Sequence, residues 1–352
     1  MNVALIYGGR SAEHEVSISS AKTIEAVLIQ NSHTLFPIAI DRAGRWFLQE
    51  QVSDTITTKK PLWIIPGQGV SSQEGLLPID VSFPTTHGWG GEDGNLQGLL
   101  TLAKIPVVGC DTAASAIGMH KALAQRIFAE VGIPTVPTVV VDYRNTVVET
   151  LYDECIQRFG PSLFIKPENT GSSVGITALR EADLSSCNKA IEYALTYSER
   201  VLIQPYYTEV IEVECGIIQG PSKRTVPLGP GVVRNPQSEA FLSYAQKYAP
   251  QGGAYLKLPS ELPAEIEEEI RFLAIKAFEA IKGSGYARVD FFLVDDKVIL
   301  NEINTLPGLT QNSHWPKLLR FEGYSLEEAI DHLLEQAINM FNRIWNVRTS
   351  YE

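Results

Sequence analysis

Basic residues are in short supply in this chain. Against 41 Asp and Glu stand 29 Lys and Arg, a formal net charge of −12. The surface therefore lacks the basic footprint that nucleic-acid phosphates require, and no nucleic-acid partner is expected. Long hydrophobic runs are also missing. No segment approaches the ~20 apolar residues that cross a bilayer, and the opening Met1-Asn2-Val3-Ala4-Leu5-Ile6-Tyr7-Gly8-Gly9 has no basic region of the kind a signal peptide carries. A membrane partner is not expected either. The four cysteines, Cys110, Cys155, Cys187 and Cys215, lie far apart with no Cys-x-x-Cys pair. That spacing argues against a disulfide framework or a structural zinc site and for reduced thiols in the cytoplasm. Two common phosphate signatures are absent: no Gly-Lys-Ser/Thr occurs, and no G-x-G-x-x-G follows a strand. His14-Glu15 is no zinc helix, since Ile18 stands where the second histidine is needed.

What is present is an ordinary globular composition, 44% hydrophobic and 20% charged over 352 residues. That length exceeds what one core usually organises. Strand-like runs at Val3–Tyr7, Leu35–Ile40, Trp63–Ile65 and Ile79–Phe83 alternate with helical patterns at Ser11–Leu28 and Leu96–Ala103. The fold class is therefore α/β with α+β elements, opening with a parallel-sheet unit over residues 1–118. A second unit, 119–205, begins with a helix from Lys121 to Val131 and continues with strands at Thr138–Val141, Leu163–Lys166 and Val201–Gln204. A third, 206–352, holds a strand at Val213–Ile218, a long polar stretch from Arg234 to Lys257 that has the composition of a lid, and a helix from Pro263 to Lys282. Ile266, Ile270, Leu273, Ala277, Phe278 and Ile281 form the apolar stripe of that helix, and Gly283 is expected to end it.

The segment Tyr286 to Asn304 contains two β-rich runs with polar groups two apart, Arg288 and Asp290 on the first, Glu302 and Asn304 on the second. Side chains two apart share a face of a strand, so each run has one polar and one apolar face. The polar faces coincide if Asp290 sits opposite Glu302 and Arg288 opposite Asn304. In a regular hairpin this needs an odd connection, so a three-residue loop from Asp295 to Lys297 is expected. Two carboxylates and an amide oxygen suit a hard cation such as Mg2+. A half-solvated ribbon with alternating charge is the competing account. After the strand at Leu163–Lys166, the loop Lys166-Pro167-Glu168-Asn169-Thr170-Gly171-Ser172-Ser173-Val174-Gly175 places a lysine beside small residues whose N–H groups can surround phosphate, though many such loops are plain turns.

These pieces in this order resemble the D-alanine:D-alanine ligase family of ATP-grasp enzymes over nearly the whole chain. The carriers are Gly8-Gly9-Arg10-Ser11-Ala12-Glu13-His14-Glu15-Val16-Ser17, the His87 to Gly94 turn, Lys121, Gly171 to Gly175, Lys247-Tyr248, Arg288-Val289-Asp290, and Asn301-Glu302-Ile303-Asn304 through Thr310 with Ser313. The resemblance implies an ATP-grasp fold behind the N-terminal unit, with ATP held by Lys121, Lys166, Ser172, Ser173, Val174, Gln204 and Glu212. It implies two Mg2+ ions, or Mn2+, on Asp290, Glu302 and Asn304. Glu15 would fix the ammonium of a first D-alanine, with Ser172 and Tyr248 completing a hydrogen-bonded trio. Arg288 and Ser313 would serve the acyl transfer, and His87, Lys247 and Gly308 would line the substrate site. Homodimerisation, a cytoplasmic location and a part in peptidoglycan precursor synthesis follow from the same resemblance. Joining D-alanine to D-lactate or D-serine is the alternative within the family, and Tyr248 favours the dipeptide. A nucleotide-binding regulator without chemistry is the alternative outside it. Thr170, Gln204, His120 and His314 depart from the family pattern.

Overall fold

The computed structural model describes residues 1–142, 148–171, 174–220, 224–235 and 254–348. The first unit runs β1 (Asn2–Gly8), α1 (His14–Gln30), β2 (Thr34–Ile40), β3 (Trp46–Leu48), β4 (Trp63–Ile65), β5 (Gly69–Ser72), β6 (Gly75–Leu76), β7 (Val81–Pro84), α2 (Asn95–Leu102) and α3 (Thr112–Met119). Strand β1 lies between β2 and β7 and is parallel to both, with β3 antiparallel on the edge. The Trp63–Ile65 strand does not join this sheet. It pairs antiparallel with β5 in a separate small sheet, which its exposed Trp63 already fits. Because β1 and β7 are parallel, their carboxyl ends open on the same side, and the Gly8-Gly9 and His87 to Gly94 loops meet there.

The second unit is α4 (Lys121–Glu130), β8 (Val139–Asp142), α5 (Val148–Phe159), β9 (Leu163–Pro167), β10 (Thr177–Leu179), α6 (Leu184–Leu195) and β11 (Arg200–Pro205), its strands antiparallel in the order β10-β9-β11-β8. The third contains β12 (Ile211–Gln219), β13 (Thr225–Arg234), β14 (Tyr255–Lys257), α7 (Ala264–Ala280), β15 (Tyr286–Val294), β16 (Lys297–Asn304), α8 (His314–Phe321) and α9 (Leu326–Trp345). Its sheet order is β14-β13-β12-β15-β16. Most of the expected lid, including Lys247 and Tyr248, lies outside the described residues, as do Ser172 and Ser173.

The cores cut across the expected boundaries. Helix α4 was assigned to the second unit, yet Ala124 and Phe128 pack with Ile270, Phe278, Val289 and Leu300 of the third. Helix α9 starts at Ser325, whose hydroxyl accepts the Glu328 N–H, and buries Ile330, Leu333 and Leu334 in one core with Leu5, Ile24 and Phe83 of the first unit. Among the described residues, two cores stay within one unit: that of the second unit's sheet with α5 and α6, around Leu163, Ile165, Ile191 and Val201, and one in the first unit around Ala4, Ile6, Ile38 and Leu100.

The β15–β16 hairpin has the expected pairing by a different route. Asp290 is opposite Glu302 and Arg288 opposite Asn304, but the connection is a two-residue turn, with Val294 opposite Lys297. Asp295 and Asp296 both take left-handed φ, 49° and 58°, which is the twist-matched turn for antiparallel strands. Parity is corrected inside β16. Phe291 faces Leu300 while Asp290 faces Glu302, so Asn301 is one residue in excess and forms a β-bulge. The buried positions follow: Val298 and Leu300 before the bulge, Ile303 after it.

Helix α7 buries Ile270, Leu273, Ala277 and Phe278, with Ile266 only partly covered. Lys282, not Gly283, takes the left-handed conformation at its end. The glycine is needed for space, since a Cβ at 283 would stand 2.4 Å from the Phe278 ring. Gly283→Ala should therefore destabilise the protein by about 1–3 kcal/mol in denaturant unfolding, with Lys282→Ala costing less than ~1 kcal/mol.

Candidate active site

Strand pairing by itself brings three carboxylates into one row. Glu214 on β12 is opposite Asp290 on β15, which is opposite Glu302 on β16. The next row on the same face is Gly216, Arg288 and Asn304. Like charges directly across neighbouring strands repel, so this arrangement needs cations. Arg288 supplies one: its Nε and a terminal nitrogen donate to the two oxygens of Asp290, both at 2.7 Å, and Nε is 3.2 Å from Glu214. His314 Nδ1 meets the same Glu214 oxygen at 2.8 Å. Asn304 donates to Asp290 at 3.0 Å. Lys121, nearly buried, is 3.5 Å from Glu302 and donates to the Thr170 carbonyl at 2.8 Å.

This floor lies under a cavity of about 420 Å3 whose wall includes Glu13, His87, Glu212, Gly308 and Ser313. Burial works against the charge of Arg288, yet Asp290 and Glu214 hold it firmly protonated. Burial pushes Asp290 up to about 6 against the pull of Arg288, with Glu214 and Glu302 adding to the rise. The floor is thus short of positive charge. Among the described residues no group of three His, Cys, Asp or Glu forms a complete cage. Two carboxylates with one amide form an open oxygen set, which fits Mg2+ sharing its remaining positions with phosphate and water. His87 is buried, which lowers its pKa and keeps the ring neutral; it is hydrogen bonded to the Leu306 backbone. Its Nε2 is buried with no hydrogen-bond partner among the described residues, in a side chain that lines this cavity.

Ser313 caps α8, and its Oγ accepts the Thr310 N–H at 3.1 Å and shares a bond with Thr310 Oγ1 at 2.8 Å. The cap leaves N–H groups and the positive helix end beside the cavity, a favourable place for a carboxylate. Lys166, buried on β9, donates to the bulge residue Asn301 at 3.2 Å. Thr170 Oγ1 donates to the Val174 carbonyl at 3.1 Å, which shapes the glycine loop.

Two expected residues do not line this cavity. Glu15 is exposed and paired with Arg42, whose hydrogen bond holds its carboxyl below the usual range. It lies on the outward stripe of α1 with Ser19, Lys22 and Ala26 and is not among the residues lining the cavity. Glu13, at the start of the helix, occupies the wall instead; a Cβ on Gly171 would come within 3.2 Å of its Oε2. Helical spacing could have separated the two, because Ile18, Ala21, Ile24 and Leu28 mark the buried face and Glu15 falls opposite it. Gln204 is buried in the central sheet and donates to Thr138 at 2.8 Å, outside the cavity wall. Sequence reasoning also passed over Glu92, Glu214 and Asn301. Glu214 sits two residues from Glu212 on one strand, a spacing that was available; the bulge that exposes Asn301 left no pattern to read.

Comparison with known proteins agrees with this geometry. The family model described as D-ala D-ala ligase N-terminus matches residues 2–110, and D-ala D-ala ligase C-terminus matches residues 127–335. The chain belongs to the D-Ala D-Ala ligase family. D-alanine--D-alanine ligase A of Chromobacterium violaceum is 36% identical over 359 residues, covering 96% of this chain and 95% of that protein. The solved D-alanine-D-alanine ligase of Coxiella burnetii superposes with a TM-score of 0.84 at 29% identity, over 99% of this chain and 98% of that one. The VanG D-Ala:D-Ser ligase of Enterococcus faecalis gives 0.82 at 30%, over 97% and 99%. The ligase family thus accounts for the ATP-grasp architecture of the second and third units.

Within this ligase site Glu92 is half-buried on the His87 loop, and its Oε1 accepts the Gly88 N–H at 3.0 Å. Burial, and then the charge of Glu13, raise its carboxyl from 4.5 to about 8. A carboxyl whose folded value is raised stabilises the fold below its unfolded value and loses that contribution as pH rises through the folded one. Glu92→Gln should therefore match the wild type near pH 4 and exceed it by on the order of 3 kcal/mol near pH 9, measured by urea unfolding at both.

Proposed function

We propose that this chain joins two D-alanine molecules into D-alanyl-D-alanine at the cost of one ATP, supplying a peptidoglycan precursor. The observation that carries the reading is the hairpin floor: Arg288, Asp290, Glu302 and Asn304 on one face, beneath a cavity shared with Glu13, His87 and Ser313. The terminal phosphoryl group of ATP passes to the carboxylate of the first D-alanine, giving an acyl phosphate. The amine of the second D-alanine attacks its carbonyl carbon, the C–N bond forms, and phosphate leaves. Mg2+ or Mn2+ bound by Asp290, Glu302 and Asn304 would neutralise the transferring phosphoryl oxygens.

The chain's own groups divide the remaining work. Glu13 offers a carboxylate to the ammonium of the first D-alanine, with neutral His87 beside it. Lys121 and Lys166 are buried cations on either side of the glycine loop and hold phosphates, with Glu212 directed to the nucleotide. Arg288, fixed in a planar fork by Asp290 and Glu214, offers N–H groups to the oxygen that gains charge during attack. Ser313 and the N–H groups that begin α8 take the second carboxylate, next to Gly308. Ser172, Ser173, Lys247 and Tyr248 keep their assigned roles in closing the site. A cytoplasmic homodimer belongs to the same reading.

Purified protein with ATP, Mg2+ and D-alanine should release phosphate and form the dipeptide, whereas L-alanine should give neither. If D-alanine yields phosphate only when D-lactate or D-serine is added, the dipeptide assignment fails. Asp290→Asn should lower kcat by about 10²-fold or more with the fold retained. Glu13→Gln should raise KM for the first D-alanine about tenfold, while Glu15→Gln changes it less than about twofold; the reverse pattern in steady-state kinetics would restore Glu15 to the site.

A further inference from the structure

Asn301 is the one residue the β15–β16 hairpin has to spare. The turn at Asp295-Asp296 sets the pairs Val294 with Lys297 through Phe291 with Leu300 in unbroken register. Were residue 301 missing, the next pair in that register would already be Asp290 with Glu302, followed by Val289 with Ile303 and Arg288 with Asn304. The metal-facing arrangement therefore does not need the bulge. What the bulge adds is Asn301 itself, a side chain released from the sheet's alternation and half-buried at the cavity wall.

The released amide has a definite partner. Lys166 Nζ lies 3.2 Å from Asn301 Oδ1, and because a lysine ammonium can only donate, the oxygen must be the atom facing it. The bond joins different sheets, β9 of the second unit and β16 of the third. Lys166 is 5% exposed, and its four-carbon stem has no fixed geometry of its own, so a fixed acceptor decides where its charge rests. The strand that supplies Glu302 and Asn304 is also the strand that supplies this acceptor.

We infer that Asn301 is a positioning residue, its bulge placing an acceptor that sets the Lys166 ammonium for a nucleotide phosphate and ties that ammonium to the strand bearing Glu302 and Asn304. The inference rests on the ligase reading through one point, that Lys166 meets phosphate. Asn301 does not contact the reacting atoms in this role; it acts through Lys166.

The test is the equilibrium affinity for ADP, measured by titration calorimetry on the full chain with metal chelated, alongside KM for ATP. Asn301→Leu keeps the side-chain size and removes the acceptor. It should weaken ADP binding about tenfold and raise KM for ATP by a similar factor, with kcat changed less. Deleting Asn301, which leaves both polar pairs in register, should have the same effect, and Asn301→Ala stands in if either variant misfolds. In a Lys166→Met background, Asn301→Leu should bring no further loss, because the acceptor no longer has a charge to place. An equal loss in both backgrounds would mean that Asn301 acts by packing and would overturn the inference. Wild-type affinity in Asn301→Leu with a loss in Lys166→Met would overturn it too, while leaving the ligase reading intact. Wild-type affinity in Lys166→Met would remove the phosphate role of Lys166, and the inference with it.

Discussion

The row Glu214, Asp290 and Glu302 is an electrostatic liability on which the rest of the site is organised. Three carboxylates side by side across adjacent strands would push the sheet apart unless countercharge were brought to them. Arg288 answers from the same face, His314 from the start of α8, and Lys121 from α4. These partners come from different parts of the chain, so the sheet, the start of α8 and the second unit's first helix all converge on the row. Even so, Asp290 is left with a raised affinity for a proton, a deficit that a divalent ion with phosphate would remove.

Much of this was readable from residue order alone, and the failures have physical reasons. Alternation of polar and apolar residues gave the hairpin's polar face correctly, because period two is a strong constraint wherever one face is buried. The loop length was wrong because parity can be corrected at two places, in the turn or by a bulge, and alternation constrains only their sum. Asp295-Asp296 is itself a good left-handed turn pair, which weighed for the shorter connection. Glu15 was expected in the site from the resemblance; on α1 it falls opposite the buried stripe of Ile18, Ala21, Ile24 and Leu28, while Glu13 lines the cavity. Gln204 is buried on β11, and its amide nitrogen donates to Thr138. The partners of β12 and the burial of Glu214 depend on contacts far apart in sequence, which no local pattern carries.

Glycine in this chain has two separate uses that sequence does not distinguish. At Gly8 and Gly9 the backbone takes φ of 88° and 102°, and the chain turns sharply out of the parallel sheet into the loop beside the cavity. At Gly283 the conformation is ordinary and the missing side chain makes room for a ring. Both read as helix or strand punctuation, yet only the first is a matter of backbone freedom.

The sharing of cores has a consequence for how the molecule comes apart. The C-terminal helix α9 is built into the same apolar interior as β1 and α1, and His33 and Asn31 fasten it further through Asp331. The two ends of the sequence therefore stand or fall together, while the sheet of β8 to β11 has an interior that neither end enters. Among the described residues, the buried side chains of that middle segment form a cluster separate from the one that holds the ends. The boundary of cooperative unfolding thus encloses residues from both termini and leaves out a stretch between them, so the unit of stability is not a continuous piece of chain.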